Sequence, residues 1–280
     1  MVSLPTKKVS DEIATQLDFG NKVIEMVRRK MPYGAANQRV DMRMSNQEAN
    51  PRTAQGYNRF NEARMYFGKI GPKPKLLAGV AEKFGAGNCD MAGAMAYTIM
   101  RRTLSDDFEV MFIEGKGHTY SAFKIVDQPD SAAIVVDPWP TSGMATLAVD
   151  HFMGLGGRST VLRKRGKGPN PVTELIDRVA LSEKYQEMLP ALDSDLENLP
   201  SIQRGNFKVF RHDLCSTTVG AYQRPDGKIV ATPKERVMMP PPPIPWADSD
   251  VVMGDIERPF TPPSPRPAID TGTDIVMGEG

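Results

Sequence analysis

Apolar residues recur at helical steps in some segments and form short runs in others. Between Asp11 and Met31, the residues Ile13, Leu17, Val23, Ile24 and Val27 share one face, which predicts a helix. Asn21 is placed to cap a second helical stretch within it. Ala92, Met95, Ala96, Ile99 and Met100 recur at steps of three and four and predict a helix over 89–104. Shorter patterns predict helices at Tyr57–Phe67 and at Val172–Glu187. Phe108–Ile113, His118–Val126 and Ala132–Val136 are runs of strand formers bounded by turn residues. Phe207–Phe210 reads as another strand, and Ala221–Thr232 as a hairpin turning at Pro225-Asp-Gly-Lys. A helix ahead of several strands with short connections is an α+β pattern, not an alternating β-α-β one.

Elsewhere the pattern is weak. Residues 1–10 are polar, 33–56 lack periodicity and read as loop, and Gly71-Pro72-Lys73-Pro74-Lys75 reads as an extended bend. The dense region starts near Leu76. Residues 154–170 are rich in Gly and basic side chains and read as loop. After Lys234 the composition changes. Ten of 24 prolines fall between Pro240 and Pro267, too many for a packed helix or sheet. The division is therefore a helical or partly disordered leader at 1–69, a catalytic domain at 70–235 and a disordered proline-rich tail at 236–280. Within the tail, Asp250-Val-Val-Met-Gly-Asp255 returns as Asp274-Ile-Val-Met-Gly-Glu279, a repeat suited to docking on the sheet edge of a partner.

Composition narrows the function classes. A chain of 280 residues, 40% hydrophobic, can bury one sizeable core. A net charge of +1 gives no global field for nucleic acid or anionic membrane. No stretch approaches the ~20 apolar residues of a membrane span, and the N-terminus has no secretory apolar run. Two cysteines fit a reducing compartment. His212 and Cys215 lack the second ligand pair a structural zinc would need, and His151 has no evident partner, so no metal and no cofactor is expected. Gly154-Leu-Gly-Gly-Arg-Ser159 lacks the Gly-Lys-Ser/Thr ending of a phosphate loop. Arg158, Arg163, Lys164, Arg165 and Lys167 form a basic patch that reads as a solvated loop.

Three short segments carry candidate chemistry. Cys89 follows Gly85-Ala-Gly-Asn88 and opens a helix, where backbone N–H groups and the helix dipole favour a thiolate. His118 starts a strand and can act as base, then acid. Asp137 ends a strand before Pro-Trp-Pro and can fix the histidine tautomer, with Trp139 shielding the contact. Asn88 and the Cys89 N–H are the candidate oxyanion donors. Asp90, beside the thiol, would oppose a thiolate if its carboxylate pointed inward.

Gly-Ala-Gly-Asn-Cys-Asp, His-Thr-Tyr-Ser-Ala-Phe-Lys-Ile and Ile-Val-Val-Asp-Pro-Trp together resemble the papain-like and transglutaminase-like cysteine enzymes, over about residues 80–140. Within that superfamily they look most like bacterial effectors delivered by type III secretion. The resemblance implies a core with the nucleophile at a helix N-terminus packed on an antiparallel sheet. It implies Cys89 as nucleophile, His118 as base and Asp137 as orienter, acting on a protein substrate of a host cell. It implies secretion without a cleavable signal peptide and action in the host cytoplasm; without delivery, the place is the chain's own cytoplasm. Protease, deamidase and transglutaminase all fit. Glu82, Lys83 and Phe84 stand where papain-like proteases often carry a glutamine. The rival class is a non-catalytic adaptor on a degenerate fold of this kind, with its docking function in the tail.

Overall fold

The N-terminal segment builds much of the core. In the computed structural model, strand β1 (Thr6–Lys8) leads into helix α1 (Asp11–Lys30). Ser10 caps α1 through its Oγ, with Asp11 and Glu12 in the first turn and Arg28, Arg29 and Lys30 in the last, each sign suited to its end of the dipole. The structure describes residues 4–67, 73–115, 117–153, 160–168, 195–198, 204–210 and 215–235. All lie in one compact unit, residues 1–241. The expected helix at Val172–Glu187, most of the Gly154 loop and the tail fall outside them.

Helix α1 is continuous, so Asn21 caps nothing. Its Oδ1 accepts the Ala145 N–H at 2.8 Å instead. Helix α2 (Arg39–Met44) and the first half of α3 (Ala49–Phe67) occupy ground expected to be loop; the second half is the helix expected at Tyr57–Phe67. Polar residues hide these helices from a periodicity reading, because buried partners satisfy them. The buried Asp41, for example, accepts the Ala35 N–H at 2.7 Å. Helix α4 (Lys73–Phe84) starts inside the expected bend, with Pro74 in its first turn, where a missing N–H costs nothing. Helix α5 (Cys89–Thr103) follows after a tight turn at Gly85, whose φ of 66° favours glycine. Leu17, Val27 and Phe60 from the expected leader share one core with Leu77, Met95 and Phe123. The leader is thus an integral part of the unit that holds the candidate site.

The sheet comes next. Strands β2 (Phe108–Glu114), β3 (Thr119–Ile125) and β4 (Ile134–Val136) match the sequence reading. After β5 (Ser142–Gly143), strands β6 (Thr146–Leu147) and β7 (Thr160–Arg165) complete five antiparallel strands in the order β6-β4-β3-β2-β7. The near-continuous apolar run of β2 reflects burial on both faces. Val110 and Phe112 join the helix-side core, while Met111 and Ile113 pack on the other face with Tyr120 and Val135. Strand β7 replaces part of the expected basic loop. Its cross-strand geometry sets Arg163 on Glu109, and Arg163 also pairs with Asp130. Strands β8 (Ala221–Gln223) and β9 (Ile229–Ala231) form the expected hairpin, with β1 added in parallel to β8. A short β10 (Lys234–Glu235) pairs with β5. Phe207–Phe210 is not a strand; Phe210 makes one isolated bridge to Gln38. The architecture is mixed, helices with antiparallel sheets, as an α+β class requires. No helix among the described residues is long and apolar enough to cross a membrane.

One contact sets helix α5 against the sheet. A Cβ at Gly93 would lie 3.2 Å from Tyr120 Cα and 3.3 Å from the Thr119 carbonyl oxygen. The Gly93 carbonyl also accepts from Ser121 Oγ at 2.7 Å. Absence of a side chain therefore lets α5 lie directly on β3, beside His118 and one turn from Cys89. Gly93→Val should cost about 1–3 kcal/mol by overpacking and lengthen the approach of Cys89 to His118. Urea unfolding and the rate of Cys89 alkylation would check both; a variant unchanged in both measures would remove Gly93 from this role.

Candidate active site

Cys89 is the first residue of α5 and is partly accessible. Asn88 is the N-cap, extended at φ −86° and ψ −169°, and its carbonyl accepts the Ala92 N–H at 3.0 Å. Its side chain makes no cap; the amide lies against Tyr57, and Oδ1 is buried without a partner among the described residues. Of the two expected oxyanion donors, the Cys89 N–H belongs to the first turn of α5, where the helix itself offers it no acceptor.

Asp90 does not crowd the thiol with a free charge. Tyr57 of α3 donates its O–H to Asp90 Oδ1 at 2.5 Å, and the Met91 N–H donates to the same oxygen at 2.9 Å. Burial raises the Asp90 carboxyl above its ordinary range despite both bonds. Tyr57 itself is raised, by burial first and then by Asp90 and Cys89. Sequence reasoning missed Tyr57, because α3 was assigned to a leader and nothing local links it to Cys89. Tyr57→Phe removes a donor from a buried carboxyl and should destabilise the fold by about 1–3 kcal/mol. Urea unfolding would read this, and a variant within error of wild type would show that the bond contributes nothing.

His118 and Asp137 meet as the register dictates. Ser121 pairs with Val136, so one step further places Asp137 opposite Tyr120, diagonal to His118. His118 Nε2 lies 2.7 Å from Asp137 Oδ2, with side-chain exposures of 5% and 1%. The Trp139 N–H donates to Asp137 Oδ1 at 3.3 Å. Trp139 also packs on His118 at 4.9 Å between ring centroids, Tyr120 stacks at 5.6 Å, and the half-exposed Phe152 closes the outer side at 5.5 Å.

Electrostatics follows from this enclosure. Burial alone would lower the His118 pKa; the Asp137 charge and hydrogen bond, with a smaller contribution from Cys89, raise it to about 10. Burial alone would raise Asp137; His118 and then His151 hold it below the ordinary carboxylate range. Cys89 interacts with His118, while among the described residues Nδ1 makes no hydrogen bond. Nε2 is taken by Asp137, so Nδ1 is the ring nitrogen left for the thiol.

His151 corrects the expectation that it has no partner. Its Nε2 lies 3.2 Å from the same Asp137 Oδ2. His151 follows a short 3-10 turn at Ala148–Asp150, and a bridge to Thr217 fixes its backbone. No spacing in the sequence links it to Asp137. The signal that existed was a histidine directly after Asp150 with the apolar Ala148, Val149, Phe152 and Met153 around the pair.

His118, Asp137 and His151 are also three donors whose ligand atoms lie within 4.8 Å of one another. The donor set can be tested against a cation. Metal on both Nε2 atoms would leave both Nδ1 atoms protonated. Ligating histidines nearly always donate that second N–H to an acceptor, and among the described residues both Nδ1 atoms are buried without one. The hydrogen-bonded carboxylate fits the cluster better than a metal does. Cys215, the second cysteine, is also free, and its backbone makes an isolated bridge to Ser142. Compared with protein-family models, curated proteins and solved structures, the chain matches nothing.

Proposed function

We propose that Cys89, His118 and Asp137 form the triad of a thiol-dependent acyl-transfer enzyme acting on peptide or side-chain amide bonds of a protein. One observation carries the reading. His118 is held by Asp137 through Nε2 and also interacts with a cysteine at a helix N-terminus. In this mechanism the thiolate attacks a carbonyl carbon and the oxyanion forms near the Cys89 N–H. The His118 imidazolium, kept charged by Asp137, gives its proton to the departing amine or ammonia. Neutral His118 then takes a proton from water, or from an acceptor amine, as the thioester is resolved. Protease, deamidase and transglutaminase share these steps and differ in donor and acceptor. The helix-on-antiparallel-sheet placement of the cysteine supports a papain-like or transglutaminase-like core.

Thiol labelling tests the chemistry without a known substrate. Iodoacetamide at pH 6.5 should modify Cys89 at least about tenfold faster than Cys215, since only the thiolate reacts and Cys89 has the His118 imidazolium to stabilise it. Equal rates would favour the adaptor reading, in which the fold binds a partner and the site is vestigial.

A further inference from the structure

Asp137 carries more partners than an orienting carboxylate requires. One hydrogen bond to His118 would fix that tautomer. Yet His151 Nε2 also reaches Oδ2, and the Trp139 N–H reaches Oδ1. A carboxylate turns readily about its last side-chain bond, where the torsional wells are broad. Donors on both oxygens remove that freedom.

We propose that His151 is a positioning residue for the thiol site. It locks the Asp137 carboxylate with Oδ2 on His118, and so keeps Nδ1 of His118 turned to Cys89. The chemical consequence rests on the acyl-transfer reading above; the positioning of His118 does not.

Independent structure is built around His151 to hold it there. Its side chain has 0% exposure and packs on Tyr120 and Phe152, each at 4.7 Å between ring centroids. The Phe152 N–H donates to the Ser216 carbonyl at 3.2 Å, and the Thr218 N–H donates to the Asp150 carbonyl at 2.9 Å. Just before it, the Asp150 carboxylate takes Lys7 Nζ at 2.9 Å and the Tyr222 hydroxyl at 2.7 Å. Strand β1 and the 215–222 segment, remote in sequence, thus anchor the backbone on either side of one histidine.

The groups facing the His151 ring are Asp137 and His118, with Tyr120 beside them. A donor to a carboxylate already held anionic by His118 need not itself be charged. A neutral His151 with its proton on Nε2 satisfies Asp137. It leaves Nδ1 as a buried acceptor, which is tolerated more often than a buried orphan donor. The role is therefore one of hydrogen bonding and shape, and a neutral amide donor at the same height should replace it.

Two variants separate this from a packing role. In His151→Gln the side-chain amide nitrogen can reach the region of Nε2 and donate to Oδ2. In His151→Leu the volume is largely kept and the donor is lost. Iodoacetamide alkylation of Cys89 is measured from pH 5.5 to 9, and His118 ring signals are followed by 1H–15N correlation. His151→Leu should move the alkylation profile about one pH unit to the alkaline side, about tenfold in rate at fixed pH. It should also shift the His118 ring signals. His151→Gln should return both close to wild type. Wild-type rates and signals in the Leu variant would overturn the proposal. So would a Gln variant as impaired as Leu at a wild-type thermal midpoint, or one equivalent of zinc copurifying with the native chain. If wild-type Cys89 proves no faster than Cys215, the acyl-transfer reading fails, and the His118 signals alone then decide the role of His151.

Discussion

Cys89→Ala and His118→Ala should each lower turnover by about 10⁴–10⁶-fold, and the double variant should be little worse than either. Members of such a unit act together: a thiol without its imidazolium lacks both activation and an acid for the leaving group. Cys215→Ala should keep wild-type turnover, because its backbone is bridged to Ser142 and the cysteine that acts on His118 is Cys89. The measurement is mass spectrometry of a protein extract incubated with each variant. New N-termini report cleavage, a mass gain of about one dalton reports deamidation, and isopeptide links report transfer to amines. The same experiment assigns the reaction type. Products that persist at the wild-type level with Cys89→Ala would end the nucleophile assignment.

Much of the sheet and of α5 was legible in the sequence because each buries its apolar residues with the period of its own backbone. Val110 and Phe112 alternate with Met111 and Ile113, and Met95, Ile99 and Met100 return to one helix face. The order of Cys89, His118 and Asp137 was legible for the same reason, since each sits at the end of such an element. Helix α2 and the part of α3 before Tyr57 were not. Their polar residues are tied to distant groups, as Asn50 is to the Gly205 backbone through two bonds, and no local pattern encodes that. Tyr57 and His151 were missed by the same logic. Each reaches the site across more than a dozen residues of chain, and what makes them neighbours is the packing of α3 on one side and of β1 with the 215–222 segment on the other. A chain read by period reveals surfaces; it does not reveal which polar groups those surfaces bring together.

Asp137→Asn should keep the fold, lower turnover by about 10⁴-fold and flatten the dependence of stability on alkaline pH. The sign follows from the two shifts. His118 binds its proton more tightly folded than unfolded, with a folded value of about 10. Its contribution is fully present below the unfolded value of about 6.5 and is lost as pH rises toward about 10. Asp137 is shifted the other way, so its contribution is present above the unfolded value of about 3.9 and is lost only as pH falls through its depressed folded value. The wild-type pair is therefore most stabilising between about pH 4 and 6.5, and stability should decline between about pH 6.5 and 10. An asparagine cannot hold the imidazolium by charge, and burial alone then pulls His118 below its ordinary value. The variant should lose the alkaline decline attributable to His118 and carry a neutral ring at pH 7. Urea unfolding at pH 5.5, 7.5 and 9 reads the first effect, and His118 ring nitrogen shifts read the second. Parallel stability profiles in wild type and variant would mean that the Asp137 charge does not hold the His118 proton, and the imidazolium step of the proposed mechanism would fall with it.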